Sequence, residues 1–310
     1  MTVLAFDTSN YTTSVAVFDG DQGKNVSRLL DVAQGSLGLR QSDALFAHVK
    51  RLPELTDRLF SDIGPVRLDA VGASTRPRAV EGSYMPCFLA GQSQAEVLGS
   101  ALRIPVYAFS HQQGHIAASL WASGHMDLMD RPHLAWHLSG GTTELLYVTP
   151  EGVGVRAEKI GGTTDISAGQ LIDRTGKLLE LPFPSGKALD ALSREGTRKE
   201  KFRVRVEGMQ FSLSGVQNKV QEYFSSGAAK ADTAAYALRC LCGAITEATA
   251  NALKRYPDCS VVFAGGVASN SMLRESCADF PAIFCEPAFS TDNAMGTAVL
   301  TWRAHHAADL

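Results

Sequence analysis

Two stretches of this chain have the same design, 130 positions apart: TVLAFDTSNYTTSVAVFDG, Thr2 to Gly20, and HLAWHLSGGTTELLYVTPEG, His133 to Gly152. Aligned, Asp7 falls on His137, Ser9 on Ser139, and Thr12-Thr13 on Thr142-Thr143. Each stretch is an apolar run, a small polar turn and a second apolar run, which reads as a β-hairpin. Turns rich in Ser, Thr and Gly expose backbone N–H groups and hydroxyls, and those groups bind phosphate oxygens. Two ordinary hairpins of an α/β protein would carry the same residues, because Ser, Thr and Gly suit any turn.

Strands and helices alternate away from these hairpins. Ser42–Phe60 reads as a helix, with Ser42 or Asp43 as its cap and Pro53 kinking or dividing it. Leu68–Ser74 and Ile104–Ala108 read as strands, and Tyr84–Leu102 and His111–Trp121 as helices. In the second half, Asp165–Leu179, Lys187–Ser193 and Ala231–Tyr256 read as helices. Ser260–Ala264 is a strand running into Gly265-Gly266, and Asp292–His305 is a last helix. The alternation predicts an α/β fold with two similar lobes. The expected division is 1–125, carrying the first hairpin, and 126–310, carrying the second, with the last helix (about 294–306) packing on the N-terminal lobe.

Composition is that of a soluble globular protein: 310 residues, 45% hydrophobic, 20% charged. A net charge of −3 gives no global basic field to draw nucleic acid. The six cysteines form no C-x-x-C pair, as expected of thiols in a reducing compartment. No Lys or Arg precedes Lys24, the opening apolar run is short and alternating, and nothing approaches a span of about 20 apolar residues. A cytoplasmic protein with no membrane partner is the expectation.

Three constellations carry chemistry. His111-Gln-Gln-Gly-His115 puts two imidazoles at i and i+4, on one helix face, within reach of a single metal ion. Imidazole suits zinc and iron(II) alike. Two unrelated histidines on a surface helix would have the same spacing. A third ligand must come from elsewhere; Asp292 in STDNAMG is a candidate, and an N-cap is its other reading. His137 is a further candidate ligand, or a strand histidine pointing inward. Second, FAGGVASN, Phe263 to Asn270, is a strand ending in a diglycine that lets backbone approach a flat ligand. Third, Asp173 and Asp190 flank the turn holding Gly186, where carboxylates can accept from ribose hydroxyls or simply face solvent. A basic stretch from Arg194 to Arg205 alternates from Lys201 onward, as a phosphate-tracking strand face would, or as a solvated edge.

Taken in order, seven runs resemble the TsaD/YgjD family, the tRNA N6-adenosine threonylcarbamoyltransferases. They are the opening strand with Asp7-Thr8-Ser9, SHQQGHIAAS, LSGGTTEL, DISAGQLIDRTGKLLELPFPSG, FSLSGVQNKV, FAGGVASNSMLRE and TDNAMG. The resemblance spans almost the whole chain. It implies the two-lobe ATPase fold of actin, hexokinase and Hsp70, in which each lobe contributes one phosphate hairpin. It implies one divalent metal, iron(II) or zinc, on His111, His115 and Asp292; His137, just before Leu138-Ser139, is placed where it could add an imidazole to the same metal or simply point into the lobe interface. It implies an adenine nucleotide, threonylcarbamoyl-adenylate or ATP, with Ser139, Gly140, Gly141 and Thr142 near phosphate. Asp173, Gly186, Asp190, Gly265, Gly266 and Asn270 would hold the nucleoside, and Asp7, Ser9 and Thr12 would lie at the catalytic centre. The implied partners are tRNA and other proteins of the threonylcarbamoyladenosine pathway, or a related family member.

The first hairpin departs from the family pattern E-T-S-C-D-[DE]-T: Tyr11 and Thr12 replace its two acids. A paralogous ATPase or carbamoyltransferase with a non-tRNA substrate, or a non-catalytic nucleotide-binding subunit, is the alternative reading. No Ser–His–Asp or Cys–His nucleophile set is present, and H-E-x-x-H is absent.

Overall fold

The computed structural model describes residues 1–9, 11–31, 39–286 and 293–308. The described strands are β1 (Val3–Asp7), β2 (Thr12–Phe18), β3 (Gly23–Leu29), β4 (Ala70–Arg76), β5 (Val106–Ser110), β6 (His133–Leu138), β7 (Thr143–Glu151), β8 (Gly154–Thr163), β9 (Val206–Glu207), β10 (Gln210–Phe211), β11 (Val261–Ala264) and β12 (Ala282–Phe284). The described α-helices are α1 (Gln41–Ile63), α2 (Leu89–Leu102), α3 (His111–Ala122), α4 (Ala168–Leu178), α5 (Gly186–Ser193), α6 (Ser214–Ser225), α7 (Lys230–Arg255), α8 (Ser271–Ser276) and α9 (Met295–Ala308).

The chain divides into two compact units. One comprises residues 1–131, 149–157 and 289–310, the other 132–148 and 158–288. In the first, strand order is β3-β2-β1-β4-β5, with β1–β2 and β2–β3 antiparallel and β1–β4 and β4–β5 parallel. In the second the order is β12-β11-β6-β7-β8-β10-β9, with β6–β7 antiparallel and β6–β11 and β11–β12 parallel. Substituting β6, β7, β8, β11 and β12 for β1 to β5 gives the same order, so the repeat seen in the hairpins extends to five strands. The hairpin registers also agree. Val3 faces Phe18 and Asp7 faces Ser14; His133 faces Val148 and His137 faces Glu144, each partner displaced by 130 positions.

Each unit has its own core. Leu4, Phe6, Val15, Val17, Val71 and Ala73 on the first sheet pack against Leu52, Leu55 and Leu59 of α1 and Ala90 and Ala95 of α2. In the second, Trp136, Leu138 and Phe263 meet the small-residue face of α7, Ala237, Ala244 and Ala248. The Trp136 indole donates to Thr249 Oγ1 at 2.9 Å, so a fully buried tryptophan keeps its polar atom paired. β1 is buried at every position, and apolar from Val3 to Phe6 before its closing Asp7, because a central strand is covered on both sides by its neighbours β2 and β4.

Several local expectations change. α1 begins at Gln41, with Arg40 at its cap position and no side-chain cap, so Ser42 and Asp43 lie inside the first turn. Pro53 does not divide the helix. It lies on the exposed face, where the carbonyl left without a donor, that of exposed Val49, is open to water. The stretch 196–205 has no strand, so its alternating basic residues share no strand face. Its arginines are paired instead: Arg198 with Asp232, Arg203 with Glu247 and Arg205 with Glu207, while Arg194 pairs with Glu275. Lys199 and Lys201 have no ion pair with a described residue. No described helix is long and apolar enough to cross a membrane.

Candidate functional site

In the first unit, Asp7 ends β1 and is 1% exposed. Its Oδ2 lies 2.8 Å from His111 Nδ1, and its Oδ1 accepts the Ser9 amide at 2.9 Å. His111 opens α3, which Ser110 and Gln113 start with a reciprocal capping box, Ser110 Oγ taking the Gln113 amide and Gln113 Oε1 the Ser110 amide. One turn later His115 brings its ring centroid to 4.2 Å from that of His111, edge to face at 75°. Burial alone would push the Asp7 carboxyl up. The charge and hydrogen bond of His111, then Ser9, outweigh it, and Asp7 titrates below the ordinary carboxylate range. A carboxylate oxygen facing Nδ1 at 2.8 Å accepts from it, so in the neutral ring the proton lies on Nδ1 and the lone pair on Nε2.

Two imidazoles on one helix face, one with its tautomer imposed by a buried carboxylate, is donor chemistry suited to a divalent metal. Among the described residues no group of three or more His, Cys, Asp and Glu is arranged to hold one, and Asp292 lies outside the described residues. Thr12 begins β2 and is 7% exposed, its amide donating to the Ser9 carbonyl at 3.1 Å. His137, on β6 of the second unit, is half-buried opposite Glu144.

In the second unit the hairpin turn rests on the start of α4. Ser167 caps that helix and donates from Oγ to the Gly140 carbonyl, and Gly169 donates to the Ser139 carbonyl at 3.3 Å. A Cβ on Gly169 would stand 2.5 Å from Gly140 Cα, so only glycine permits this contact. Within the turn, Ser139 and Thr142 bond each other: Ser139 N to Thr142 O at 2.8 Å, Thr142 N to Ser139 Oγ at 3.1 Å. The amides of Gly140 and Gly141 donate to no described residue. Gly265 has φ +95°, and a Cβ there would meet the Leu138 carbonyl oxygen at 2.2 Å, so the end of β11 is pressed against the end of β6.

Beside this turn lies a cavity of about 620 Å³. Gly140, Asp173, Gly186, Asp190, Gly266 and Asn270 line it; Ser139, Gly141, Thr142 and Gly265 do not. The two carboxylates differ. Asp190 Oδ1 accepts from Asn270 Nδ2 at 3.0 Å and Ser271 Oγ at 2.8 Å, and its Oδ2 accepts the Ser271 amide at 3.0 Å. Asn270 in turn caps α8 by accepting the Leu273 amide at 3.0 Å. Asp173 Oδ1 takes the Ser185 amide at 2.8 Å, while its Oδ2 accepts from no described residue. Asp190 therefore holds the wall in place, and Asp173 offers an acceptor to the cavity.

Sequence reasoning passed over Lys187, Ile172, Val267 and Ser269, which also line the cavity. Lys187 is exposed, has no ion pair with a described residue, and adjoins Gly186. That adjacency was the available signal. Asp165 is a further hub outside the cavity. It accepts from Ser212 Oγ, Leu213 N, Ser214 N and Ser214 Oγ, tying the start of α4 to the β10–α6 turn.

The sequence profile of TsaD, tRNA N6-adenosine threonylcarbamoyltransferase, matches residues 36–299. A protein of that name from Carboxydothermus hydrogenoformans is 31% identical over 306 residues, 94% of this chain and 89% of that protein. Another from Thermus thermophilus is 32% identical over 314 residues, 98% and 93% of the two chains. Among solved structures, the 2-hydroxyisocaproyl-CoA dehydratase activator from Clostridium difficile with bound ADPNP aligns with a TM-score of 0.57 at 14% identity, covering 100% of this chain and 97% of its own. A ROK family protein from Streptococcus pneumoniae in complex with sucrose aligns at 0.53 and 13%, covering 100% and 99%. At such identities these structures speak for the fold alone, and that fold is the two-lobe ATPase fold of actin and hexokinase.

Proposed function

The chain belongs to the TsaD family of transferases, the tRNA N6-adenosine threonylcarbamoyltransferases, and on that premise we propose that it moves a threonylcarbamoyl group from threonylcarbamoyl-adenylate to N6 of an adenosine beside the tRNA anticodon. The observation that carries this reading is the cavity beside the Gly140 turn, where Asp173 keeps one carboxylate oxygen for a ligand. A nucleoside there donates its ribose hydroxyls to Asp173, against a wall that Asp190 stiffens through Asn270 and Ser271. The amides of Gly140 and Gly141 are the donors for phosphate oxygen and for negative charge on the reacting carbonyl. In the reaction the N6 amine attacks the carbamoyl carbon, the bond from that carbon to the phosphate oxygen breaks, AMP leaves with the electron pair, and N6 gives up one proton to water. A divalent metal, iron(II) or zinc, on His111 and His115 supplies Lewis-acid polarisation when bound. Asp292 and His137 are the proposed further ligands. Partner proteins of the same pathway, a cytoplasmic location, and catalytic contributions from Ser9 and Thr12 complete the proposal.

Mass spectrometry of tRNA nucleosides tests it. Deleting the gene is expected to remove threonylcarbamoyladenosine, and restoring it to return the nucleoside; an unchanged nucleoside profile would reject tRNA as the acceptor.

A second reading has its own support. The family profile starts at residue 36, so the hairpin with Tyr11 and Thr12 lies outside the match. A paralogous ATPase or carbamoyltransferase with another acceptor, or a non-catalytic partner subunit, would bind nucleotide normally and leave tRNA unmodified even with threonylcarbamoyl-adenylate supplied.

A further inference from the structure

Among the described residues Asp7 is a fully buried carboxylate at the histidine pair, and both of its oxygens are engaged within the protein. The family resemblance points to it as part of the catalytic centre. Its surroundings suit a different task. Oδ1 is held by the Ser9 amide, the backbone is fixed opposite Ser14 in the β1–β2 ladder, and Oδ2 faces one partner, His111 Nδ1 at 2.8 Å. A neutral imidazole has one nitrogen with a free lone pair, and the hydrogen bond made by the other decides which.

We propose that Asp7 is a positioning residue: it accepts the hydrogen bond from His111 Nδ1–H and thereby presents His111 Nε2, beside His115, to a divalent cation. The inference rests on the metal reading given above. The carboxylate also keeps the ring from rotating and raises its basicity as a ligand, the usual work of a group behind a metal-binding histidine. The argument for Asp7→Asn follows from the Ser9 contact. That amide donor fixes the asparagine carbonyl where Oδ1 now lies, so the NH2 group turns toward His111 Nδ1. Nδ1 must then accept, the ring proton moves to Nε2, and the nitrogen meant for the metal is blocked. A merely structural Asp7, tying the end of β1 to the start of α3, would lower stability on substitution and leave cation affinity unchanged.

The test uses the full chain and Zn²⁺ as the probe, with affinities from competition against a chromophoric chelator. Wild type, Asp7→Asn and His115→Ala are compared, with far-UV circular dichroism confirming the fold of each. Asp7→Asn is expected to bind Zn²⁺ about 10- to 100-fold more weakly, the range found when such supporting partners are removed. Independently, long-range ¹H–¹⁵N spectra of zinc-loaded wild type are expected to show the metal on Nε2 of His111 and the proton on Nδ1. This second measurement decides the matter if Asp7→Asn does not fold. Wild-type affinity in Asp7→Asn alongside lost affinity in His115→Ala would overturn the positioning role and leave the metal site standing. Metal on Nδ1 of His111 would overturn it as well. Wild-type affinity in His115→Ala would remove the metal reading, and this inference with it.

Discussion

Asp173→Asn separates a carboxylate that meets ligand from one that holds protein. In the structure Asp173 Oδ1 accepts the Ser185 amide at 2.8 Å and Oδ2 accepts from no described residue. Asparagine keeps a carbonyl oxygen for Ser185, so the turn carrying Gly186 stays anchored and stability should change by less than about 1 kcal/mol. At Oδ2 the substitution removes the charge and puts a donor where an acceptor stood. A hydrogen bond from a ribose hydroxyl to a carboxylate is worth about 1.5–3 kcal/mol. At 1.36 kcal/mol per decade that corresponds to a roughly 10- to 150-fold loss of nucleotide affinity. Isothermal calorimetry with ATP and 2′-deoxy-ATP on wild type and Asp173→Asn provides the measurement. The wild type should prefer ATP, and the variant should lose affinity and much of that preference. Equal affinities for the two proteins would refute the assignment of Asp173, and a loss that spares the ATP preference would refute the ribose contact.

Other consequences follow from the same geometry. Asp190→Ala frees Asn270 Nδ2, Ser271 N and Ser271 Oγ at once; it should cost about 2–4 kcal/mol of stability as well as weakening nucleotide binding, and an unchanged urea midpoint would count against its role in the wall. Gly265→Ala forces a side chain into the φ +95° region with its Cβ 2.2 Å from the Leu138 carbonyl; a loss of at least about 1–3 kcal/mol is expected in urea unfolding, and a variant as stable as wild type would contradict the close approach of β11 and β6. Burial pushes the Asp165 carboxyl up, but the hydrogen bonds from Ser212, Ser214 and Leu213 dominate and hold it well below the usual carboxylate range. Its stabilisation is therefore complete above the unfolded-state value near about 4 and fades as pH falls from there toward the folded value. Asp165→Asn should lower the denaturant midpoint at pH 7 and lower it less at pH 3; an equal deficit at both would show that its charge is not what binds the two turns.

The hairpins were legible because their information is local. An alternating apolar run, a turn of Ser, Thr and Gly, and a second run specify a strand pair, and the residues that set its register lie within some twenty positions. The spacing of His111 and His115 is equally local, since one helical turn places them together whatever surrounds it. Pro53 and the 196–205 stretch misled for the complementary reason. Whether a proline breaks a helix depends on what faces the orphaned carbonyl, and whether alternating charges form a strand depends on a neighbouring strand being there to pair with. Neither condition is written within the segment itself.

The sequence by itself determined the class of each half, the duplicated hairpin and the inventory of candidate ligands, because periodicity and turn chemistry act over a few residues. The tertiary structure decided the roles. Asp173 and Asp190 are indistinguishable as helix-borne acids, and they part only because Asn270 and Ser271, some eighty positions along the chain, fill the oxygens of one and leave an oxygen of the other open. Asp7 and His111, 104 positions apart, become one hydrogen-bonded pair only because β1 and α3 end and begin at the same place. A carboxylate's function is set by which donors reach it in a buried site, and folding alone brings those donors together.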